Sequence, residues 1–295
     1  MKLSKLLIVI MLLSSSYACL GQYVPASESE QQDSTTKLVL ITLKDKSEII
    51  GEILSENSEE VVVKTTNLGT ITIKWSNISS ITDVKKENIT KTGQYYEYNL
   101  QSTRYFFGPN GFGLKEGEGY YQNVWIFYNQ ISYGFTDYFT MGLGTVPLFL
   151  FAGAPSPVWI TPKFSIPIKK DAVNIGAGAL LGTVIGEDDA SFGIGYGNLT
   201  LGNRNHNLSV SVGYGMLGGD WSDTPAITVS AMTRVSRRTY LITENYFVSD
   251  VQVLSFGGRS FAGKVGIDYG LVIPLGTGLF IGIPWVGISV PFGNY

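Results

Sequence analysis

Asn207-Leu208-Ser209-Val210-Ser211-Val212-Gly213-Tyr214-Gly215-Met216-Leu217 alternates without a break. Leu208, Val210, Val212, Tyr214 and Met216 share one face; Ser209, Ser211, Gly213 and Gly215 share the other. A period of two is the mark of a β-strand with unlike faces. The same pattern recurs on both sides. In Ala226–Val235, Ile227, Val229, Ala231, Thr233 and Val235 oppose Ala226, Thr228, Ser230, Met232 and Arg234. In Lys264–Ile273, Val265, Ile267, Tyr269, Leu271 and Ile273 oppose Lys264, Gly266, Asp268 and Gly270. In Trp285–Phe292, Val286, Ile288, Val290 and Phe292 oppose Gly287, Ser289 and Pro291. A soluble sheet would put its apolar face in a core and charge on the face toward water. Here the second face is Gly, Ser and Thr, which suits the packed interior of a barrel whose apolar face looks outward into lipid. A charge on such a face costs about 2–4 kcal/mol near the midplane, so the polar residues must line the lumen.

Working outward from the tightest turns, residues 95–295 divide into twelve strand candidates: Tyr98–Phe107, Tyr120–Gly134, Tyr138–Ala152, Val158–Ile168, Ala172–Val184, Ser191–Leu201, Asn207–Leu217, Ala226–Val235, Thr239–Phe247, Val253–Phe261, Lys264–Ile273 and Trp285–Phe292. Short turns at Phe135-Thr136-Asp137, Lys169-Lys170-Asp171, Gly202–Asn205, Ser236-Arg237-Arg238 and Ala262-Gly263 alternate with longer links rich in Gly and Pro. Short periplasmic turns and longer external loops make the same pattern in bacterial transmembrane barrels. An even count returns both ends of the barrel to the periplasmic side. The predicted fold class is therefore all-β: an antiparallel transmembrane β-barrel of about 12 strands, preceded by a small β-barrel module.

The chain opens Met1-Lys2-Leu3-Ser4-Lys5, followed by an apolar run from Leu6 to Leu13 and then small residues. A basic start, a short apolar core and a small-residue exit read as a signal peptide over 1–21, with Gln22 the mature N-terminus. Cys19 offers a rival lipidation site, although Ser16-Tyr17-Ala18 is a poor match to the residues that usually precede one. Residues 22–36 read as a polar linker, within which Asp33-Ser34-Thr35 resembles a bacterial O-glycosylation acceptor. Cys19 is the only cysteine, so cleavage at Gly21 leaves neither a disulfide nor a thiolate metal site. Formal charge is −3 before cleavage and −5 once Lys2 and Lys5 are gone. No basic block exists, which argues against nucleic acid as a partner. Charged residues are 15% of the chain, against 35 Gly and 17 Tyr. A soluble domain carries about 25%, so this composition again favours a lipid-facing barrel.

Residues 37–86 form a separate alternating unit. Strands are expected at Leu38–Leu43, Glu48–Leu54, Glu60–Thr65, Gly69–Lys74 and Ile78–Val84, with tight turns and no helix between them. Five short strands so arranged suggest an SH3-like barrel. The phrase Leu43-Lys44-Asp45-Lys46-Ser47, with Gly51 and then Leu68-Gly69-Thr70-Ile71, resembles Sm-like modules; Lys46 stands where those usually have glycine. In this exported setting, without a basic patch, the resemblance implies a structural or interaction module rather than RNA binding. The final strand, ending in Phe292, resembles the assembly signal of outer-membrane proteins. Residues 95–295 as a whole resemble the transporter-like and uncharacterised outer-membrane barrels of Gram-negative bacteria. That resemblance implies a fold and a compartment (the cell outer membrane, with the first module in the periplasm) and not a task.

Candidate chemistry is sparse. His206 is the only histidine, and it falls in an expected periplasmic turn, away from the outer leaflet where a barrel lipase would need a base for its serine. Glu187-Asp188-Asp189 is an acidic loop tip. Gly193-Ile194-Gly195-Tyr196-Gly197 lacks the strand–loop–helix setting of a phosphate loop. No cofactor, metal site or catalytic residue is expected. What remains is a set of charges expected on the inward face: Arg104, Lys163, Arg234, Glu244, Arg259, Lys264 and Asp268. They make either an internal salt-bridge network or a weakly cationic constriction for small solutes. The expected function is a structural, adaptor or narrow-channel protein of the outer membrane, not an enzyme. The alternatives are a barrel enzyme acting on lipid or peptide, and a soluble periplasmic β-protein. Expected partners are outer-membrane lipid and lipopolysaccharide, the barrel assembly machinery, and a periplasmic protein docking on residues 37–86.

Overall fold

The computed structural model describes residues 37–84, 89, 93–96, 98–275 and 282–294. The signal peptide, Cys19 and the 22–36 linker lie outside the described residues.

The N-terminal unit has the five strands its alternation dictates: β1 (Leu38–Leu43), β2 (Glu48–Glu56), β3 (Glu60–Thr65), β4 (Gly69–Lys74) and β5 (Ile78–Asp83). All pairs are antiparallel, in the order β4-β3-β2-β1-β5. Val39, Ile41, Val61, Val63 and Ile73 form its core. The first turn keeps its shape although glycine is missing: Lys46 sits at φ 70°, and Asp45 Oδ1 accepts the Ser47 amide at 2.9 Å. Two expectations need correction. The sheet is not closed into a barrel: β4 and β5 are its edges, and no ladder joins them among the described residues. The Trp75–Asn77 link, expected as a tight turn without helix, is a single 3-10 turn.

The larger unit is a closed antiparallel barrel of twelve wall strands. In chain order they are β6 (Glu118–Val124), β7 (Tyr128–Gly134), β8 (Phe139–Thr145), the broken strand β9 (Ser156–Ile160) with β10 (Lys163–Lys169), β11 (Val173–Ile185), β12 (Ser191–Gly202), β13 (His206–Leu217), β15 (Ala226–Arg234), β16 (Thr239–Val248), β17 (Val251–Ala262), β18 (Val265–Leu275) and β19 (Ile283–Gly293). A two-residue piece, β14 (Asp220–Trp221), extends the hairpin after β13. Closure has two seams. β9 and β10 together bridge β8 to β11 across the Thr161-Pro162 break. β19 pairs with β6, setting Phe292 opposite Gly119. Every turn from one strand to the next is antiparallel, and both ends of the barrel chain emerge at the end that carries the short turns.

Alternation decides which way each side chain faces. On β13, Leu208, Val210, Val212 and Tyr214 look out and Asn207 and Ser209 look in; on β19, Val286, Ile288 and Val290 look out and Gly287 and Ser289 look in. The outer wall is thus a continuous belt of exposed apolar side chains, which no water-facing sheet maintains. No described helix is long and apolar enough to cross a membrane.

The count of twelve agrees with expectation through two differences that cancel. Tyr120–Gly134 is not one strand but two, β6 and β7. Their turn is Trp125-Ile126-Phe127, with Trp125 at φ 50° and Ile126 at φ 71°. No Gly, Pro or Asp announces it; the Asn129 side chain holds it, donating to the carbonyls of Ile126 (2.9 Å) and Phe127 (3.0 Å). Conversely, Tyr98–Phe107 is not a wall strand. It lies inside the barrel. Finally, Tyr138–Ala152 ends early as a strand, because Pro147 starts a short helix, Pro147–Phe151, at the loop end.

Candidate functional site: a plugged lumen

Residues 98–117 fold back on themselves and fill the turn end of the lumen. The segment bends at Tyr105–Gly108, where the Tyr105 amide donates to the Gly108 carbonyl at 2.9 Å and Arg104 bridges Pro109. Asn110 Nδ2 ties the two limbs by donating to the Ser102 carbonyl at 2.8 Å. Such a hairpin cannot pair as a ladder with the wall, so its peptide groups need other partners. The wall supplies them from charged and hydroxylic side chains. Lys163 donates to the Thr103 and Phe112 carbonyls at 3.3 and 2.6 Å. Arg204 donates to Ser102 Oγ and the Gly113 carbonyl at 2.6 and 2.9 Å. Thr200 and Thr140 accept the Gly111 and Leu114 amides at 2.7 and 3.1 Å.

Two clusters fix the bend. The Glu244 carboxylate accepts three successive amides, those of Phe106 (2.6 Å), Phe107 (3.0 Å) and Gly108 (2.8 Å), and the Tyr246 hydroxyl donates to it as well. Three convergent N–H groups form an anion nest; here the protein's own carboxylate sits in it. Opposite, Asp268 accepts from Arg104 Nη1 at 2.8 Å and from Arg259. Arg259 also donates to the carbonyls of Gln101 and Tyr105, and Arg104 to those of Tyr105 and Phe106. Arg259 and Asp268 are 0% exposed. A buried carboxylate between two guanidiniums, each capping carbonyls, is the pairing that buried charge demands; Nε and Nη2 of Arg104 are left without a partner among the described residues.

The charges expected to face inward therefore have mixed locations. Lys163, Glu244, Arg259 and Asp268 are buried on the wall and hold the plug. Arg104 is buried too, but on the plug itself. Arg234 is buried at the turn end, its guanidinium over the rings of Tyr240 (4.7 Å) and Tyr96 (5.0 Å). Lys264 departs from expectation: it lies exposed in the turn between β17 and β18, outside the lumen. Sequence reasoning missed Arg204 and the plug as a whole. The signal was present, since Tyr98–Phe107 lacks alternation and Gly108–Gly113 holds Gly108, Pro109, Gly111 and Gly113.

Beyond the bend, on the loop side, the lumen keeps a cavity of about 140 Å³ lined by Tyr120, Tyr128, Tyr196 and Tyr246, by Gln122 and Gln130, and by Arg104 and Lys163 among others. Its wall is rigidly built. Tyr128 stacks on Trp159 with centroids 5.0 Å apart, and the Trp159 indole donates to Gln130 at 2.9 Å. Gly144 lies so close beneath Trp159 that a Cβ there would sit 2.2 Å from the ring.

Nothing in the described residues assembles a catalytic set. His206 is exposed and pairs with Thr233 through Nδ1 at 2.8 Å. No group of three metal-ligating side chains occurs among the described residues. The glycine run at Gly193–Gly197 is strand β12.

No family model matches the chain, and no curated protein matches it. Among solved structures, the KdgM porin aligns over 60% of this chain and 98% of its own, at 7% identity and a TM-score of 0.45. A triple mutant of the Rhodopseudomonas blastica porin covers 87% of this chain and 97% of its own at 12% identity, TM-score 0.34. A loop-deleted OmpT, an outer membrane protein of Vibrio cholerae, covers 87% and 97% at 14% identity, TM-score 0.32.

Proposed function

We propose that this chain is an integral outer-membrane β-barrel that serves as a narrow, plugged conduit, with residues 37–84 as a periplasmic adaptor module of Sm-like type. The observation that carries the reading is the pairing of a closed wall, apolar all round outside, with a polar, charged lumen. Both faces then have the solvent they need only if the belt is in lipid. Twelve strands enclose a modest interior, between the filled eight-stranded barrels and the aqueous sixteen-stranded porins. The hairpin at 98–117 occupies much of it, so conduction at rest is small or nil.

The lumen lining also supports a preference. With Arg104 leaving on the plug, the inward cations Lys163, Arg204, Arg234 and Arg259 stand against the buried acids Asp268, Glu244 and Glu118. Once the plug is displaced, small anions pass more readily than cations, and the preference fades in high salt. Reconstitution of the purified protein in planar bilayers tests this. Low-conductance, anion-preferring openings are expected. Large cation-selective currents would refute the reading of the lumen, and a silent bilayer would favour a purely structural or adaptor role. That second reading rests on how completely the plug's peptide groups are bonded to the wall.

A further inference from the structure

Three neighbouring strands of the wall are short. β6, β7 and β8 have 7 residues each. By contrast β11, β12 and β13 have 13, 12 and 12, and β17, β18 and β19 have 12, 11 and 11. A strand tilted by about 45° needs about 9–11 residues to cross a bilayer. On the β6–β8 side the strands stop short of that, and two connections crown them at the loop end: the Trp125-Ile126-Phe127 turn, and residues 146–157 with the helix Pro147–Phe151. The two meet, with the Phe127 and Phe149 ring centroids 6.3 Å apart. Every side chain of the turn and of Leu148–Phe151 is exposed, Ile126 at 73% and Phe151 at 88%. From Gly119 to Pro162 the only charged residue is Asp137, in the turn at the opposite end. The described loops after β11, β13 and β16 instead carry Glu187, Asp188, Asp189, Asp220, Asp223 and Asp250.

The polar groups of this crown are closed on one another. Asn129 faces outward below the turn. Its Nδ2 holds the Ile126 and Phe127 carbonyls, and its Oδ1 accepts from Asn123 Nδ2 at 2.8 Å and from the Tyr121 hydroxyl. Trp125 Nε1 donates at 2.7 Å to the Pro284 carbonyl, on the part of β19 that rises past the end of β6. In the second connection the Val146, Leu148, Phe149 and Leu150 carbonyls accept from the amides of Phe149, Ala152, Ala154 and Gly153, and Ser156 Oγ adds a bond to Val146. Pro147, Pro155 and Pro157 have no N–H to satisfy. A loop in water leaves such groups to the solvent, whereas hydrocarbon offers them no partner.

We propose that this crown is a lipid-docking surface: the side chains of Trp125–Phe127 and Leu148–Phe151 insert among the acyl chains of the outer leaflet, just below the headgroups. The membrane is thereby held lower along β6–β8 than along β11–β13, the local thinning that a short apolar span imposes. Lipid is the occupant because the crown tops strands whose outward Ile131 and Leu143 already belong to the apolar belt, because it carries no charge, and because its backbone needs no water. Aromatic and apolar side chains at the boundary of headgroup and acyl chain are the ordinary means of such contact. Tyr128, next after Phe127, turns inward and lines the lumen cavity, so on this side the acyl layer reaches the rim of the lumen. The inference rests on the reading of the barrel as a membrane protein and adds to it which side the lipid climbs and onto what.

The test places single cysteines in the full chain carrying Cys19→Ser: Ile126→Cys and Phe151→Cys in the crown, Asp188→Cys at the acidic loop tip, and Val210→Cys on the outward face of β13. Each is labelled with a small fluorophore, and the barrels, checked for heat-dependent gel mobility, are reconstituted in phosphatidylcholine vesicles. Quenching by bromine carried on the acyl chains near the headgroup is compared with quenching by iodide in the water. Bromine should quench the two crown labels and Val210 severalfold more than iodide does, and the order should reverse at Asp188. Iodide quenching of both crown labels as strong as at Asp188, with Val210 still shielded, overturns the docking surface and leaves the barrel reading standing. Iodide that reaches Val210 as well overturns the membrane reading itself. Crown labels shielded from both quenchers, with disulfide-linked dimers forming on oxidation of the unlabelled Phe151→Cys chain, assign the crown to a second copy and overturn lipid as the occupant. The unsubstituted chain gives an independent reading by NMR in detergent: magnetisation should reach the side chains of Leu148–Phe151 from the detergent alkyl chains, and transfer from water alone would count against the proposal.

Discussion

Asp268 shows what one residue does in this lumen. Its carboxylate neutralises two buried guanidiniums that together cap carbonyls of the plug. Asp268→Asn leaves both cations buried without a counter-charge, and losing one partner of a buried ionic cluster costs about 3–5 kcal/mol. The expected outcome is a barrel that unfolds at clearly lower denaturant, read by loss of the compact band on unheated gels. A midpoint unchanged from wild type would mean that water, not Asp268, compensates the arginines. In the N-terminal sheet the informative residue is Lys46. It holds a left-handed backbone, φ 70°, which costs a residue with a Cβ about 1–2 kcal/mol and glycine little. Lys46→Gly should therefore slow amide exchange across Leu43–Ser47 in the full chain; faster exchange would show that the lysine side chain contributes more than its backbone costs. In the same turn, the Ser47 hydroxyl and amide hold the Asp45 carboxyl below its ordinary value. A depressed carboxyl stabilises the turn above its unfolded pKa, and that contribution is lost as pH falls through the lower, folded value.

At the scale of the element, the plug is the part whose removal says most. Deleting residues 98–116 takes out the hairpin and leaves all twelve wall strands. Arg259, Asp268, Glu244 and Lys163 then face water that enters the lumen, so they remain solvated rather than stranded. The deleted barrel should insert and conduct at a level several times that of the full chain, with Glu244→Gln giving an intermediate rise in open time, since a neutral amide accepts the three tip amides less well. Equal conductance in all three would mean that the hairpin does not occlude the path. Much of this element structure was legible in the sequence, and the part that was not has physical causes. Alternation set the wall strands from Ser191 onward almost to the residue, because burial on one face only enforces a period of two. The β6–β7 turn escaped notice because apolar Trp125 and Ile126 adopt positive φ themselves, and the support comes from Asn129, which lies beyond the turn. The plug escaped because its aromatic, polar and charged residues match a wall strand in composition; only the missing alternation and the Gly and Pro residues from Gly108 to Gly113 mark a segment that meets protein on every face. Its Arg104 could be read as inward-facing, but the free edge of that guanidinium is a matter of three-dimensional packing and has no counterpart in the pattern.

The whole molecule poses a question of division of labour between module and barrel. The module folds on its own core of Val39, Ile41, Val61, Val63 and Ile73, and meets the turn end of the barrel through the Glu48–Arg237 ion pair, an exposed contact worth about 0–1 kcal/mol. The barrel owes it little. Deleting residues 37–84 should leave outer-membrane insertion intact. The last strand is a different case. Phe292 lies opposite Gly119 across the seam that closes β19 on β6, and its ring covers that glycine so closely that a Cβ there would meet it at 2.3 Å. It thus seals the closing seam, in addition to the assembly-signal role that its position in the final strand resembles. Phe292→Ala removes both functions and should lower outer-membrane yield and raise periplasmic degradation, while Phe292→Tyr, which keeps the ring over Gly119, should restore it. Fractionation with a carbonate wash reads the deletion and both Phe292 variants in one assay. Module deletion that abolishes insertion, together with a silent Phe292→Ala, would reverse the division of labour; recovery of the intact chain in the soluble periplasm would remove the membrane from the account altogether, and with it the reason for an apolar belt on a closed barrel.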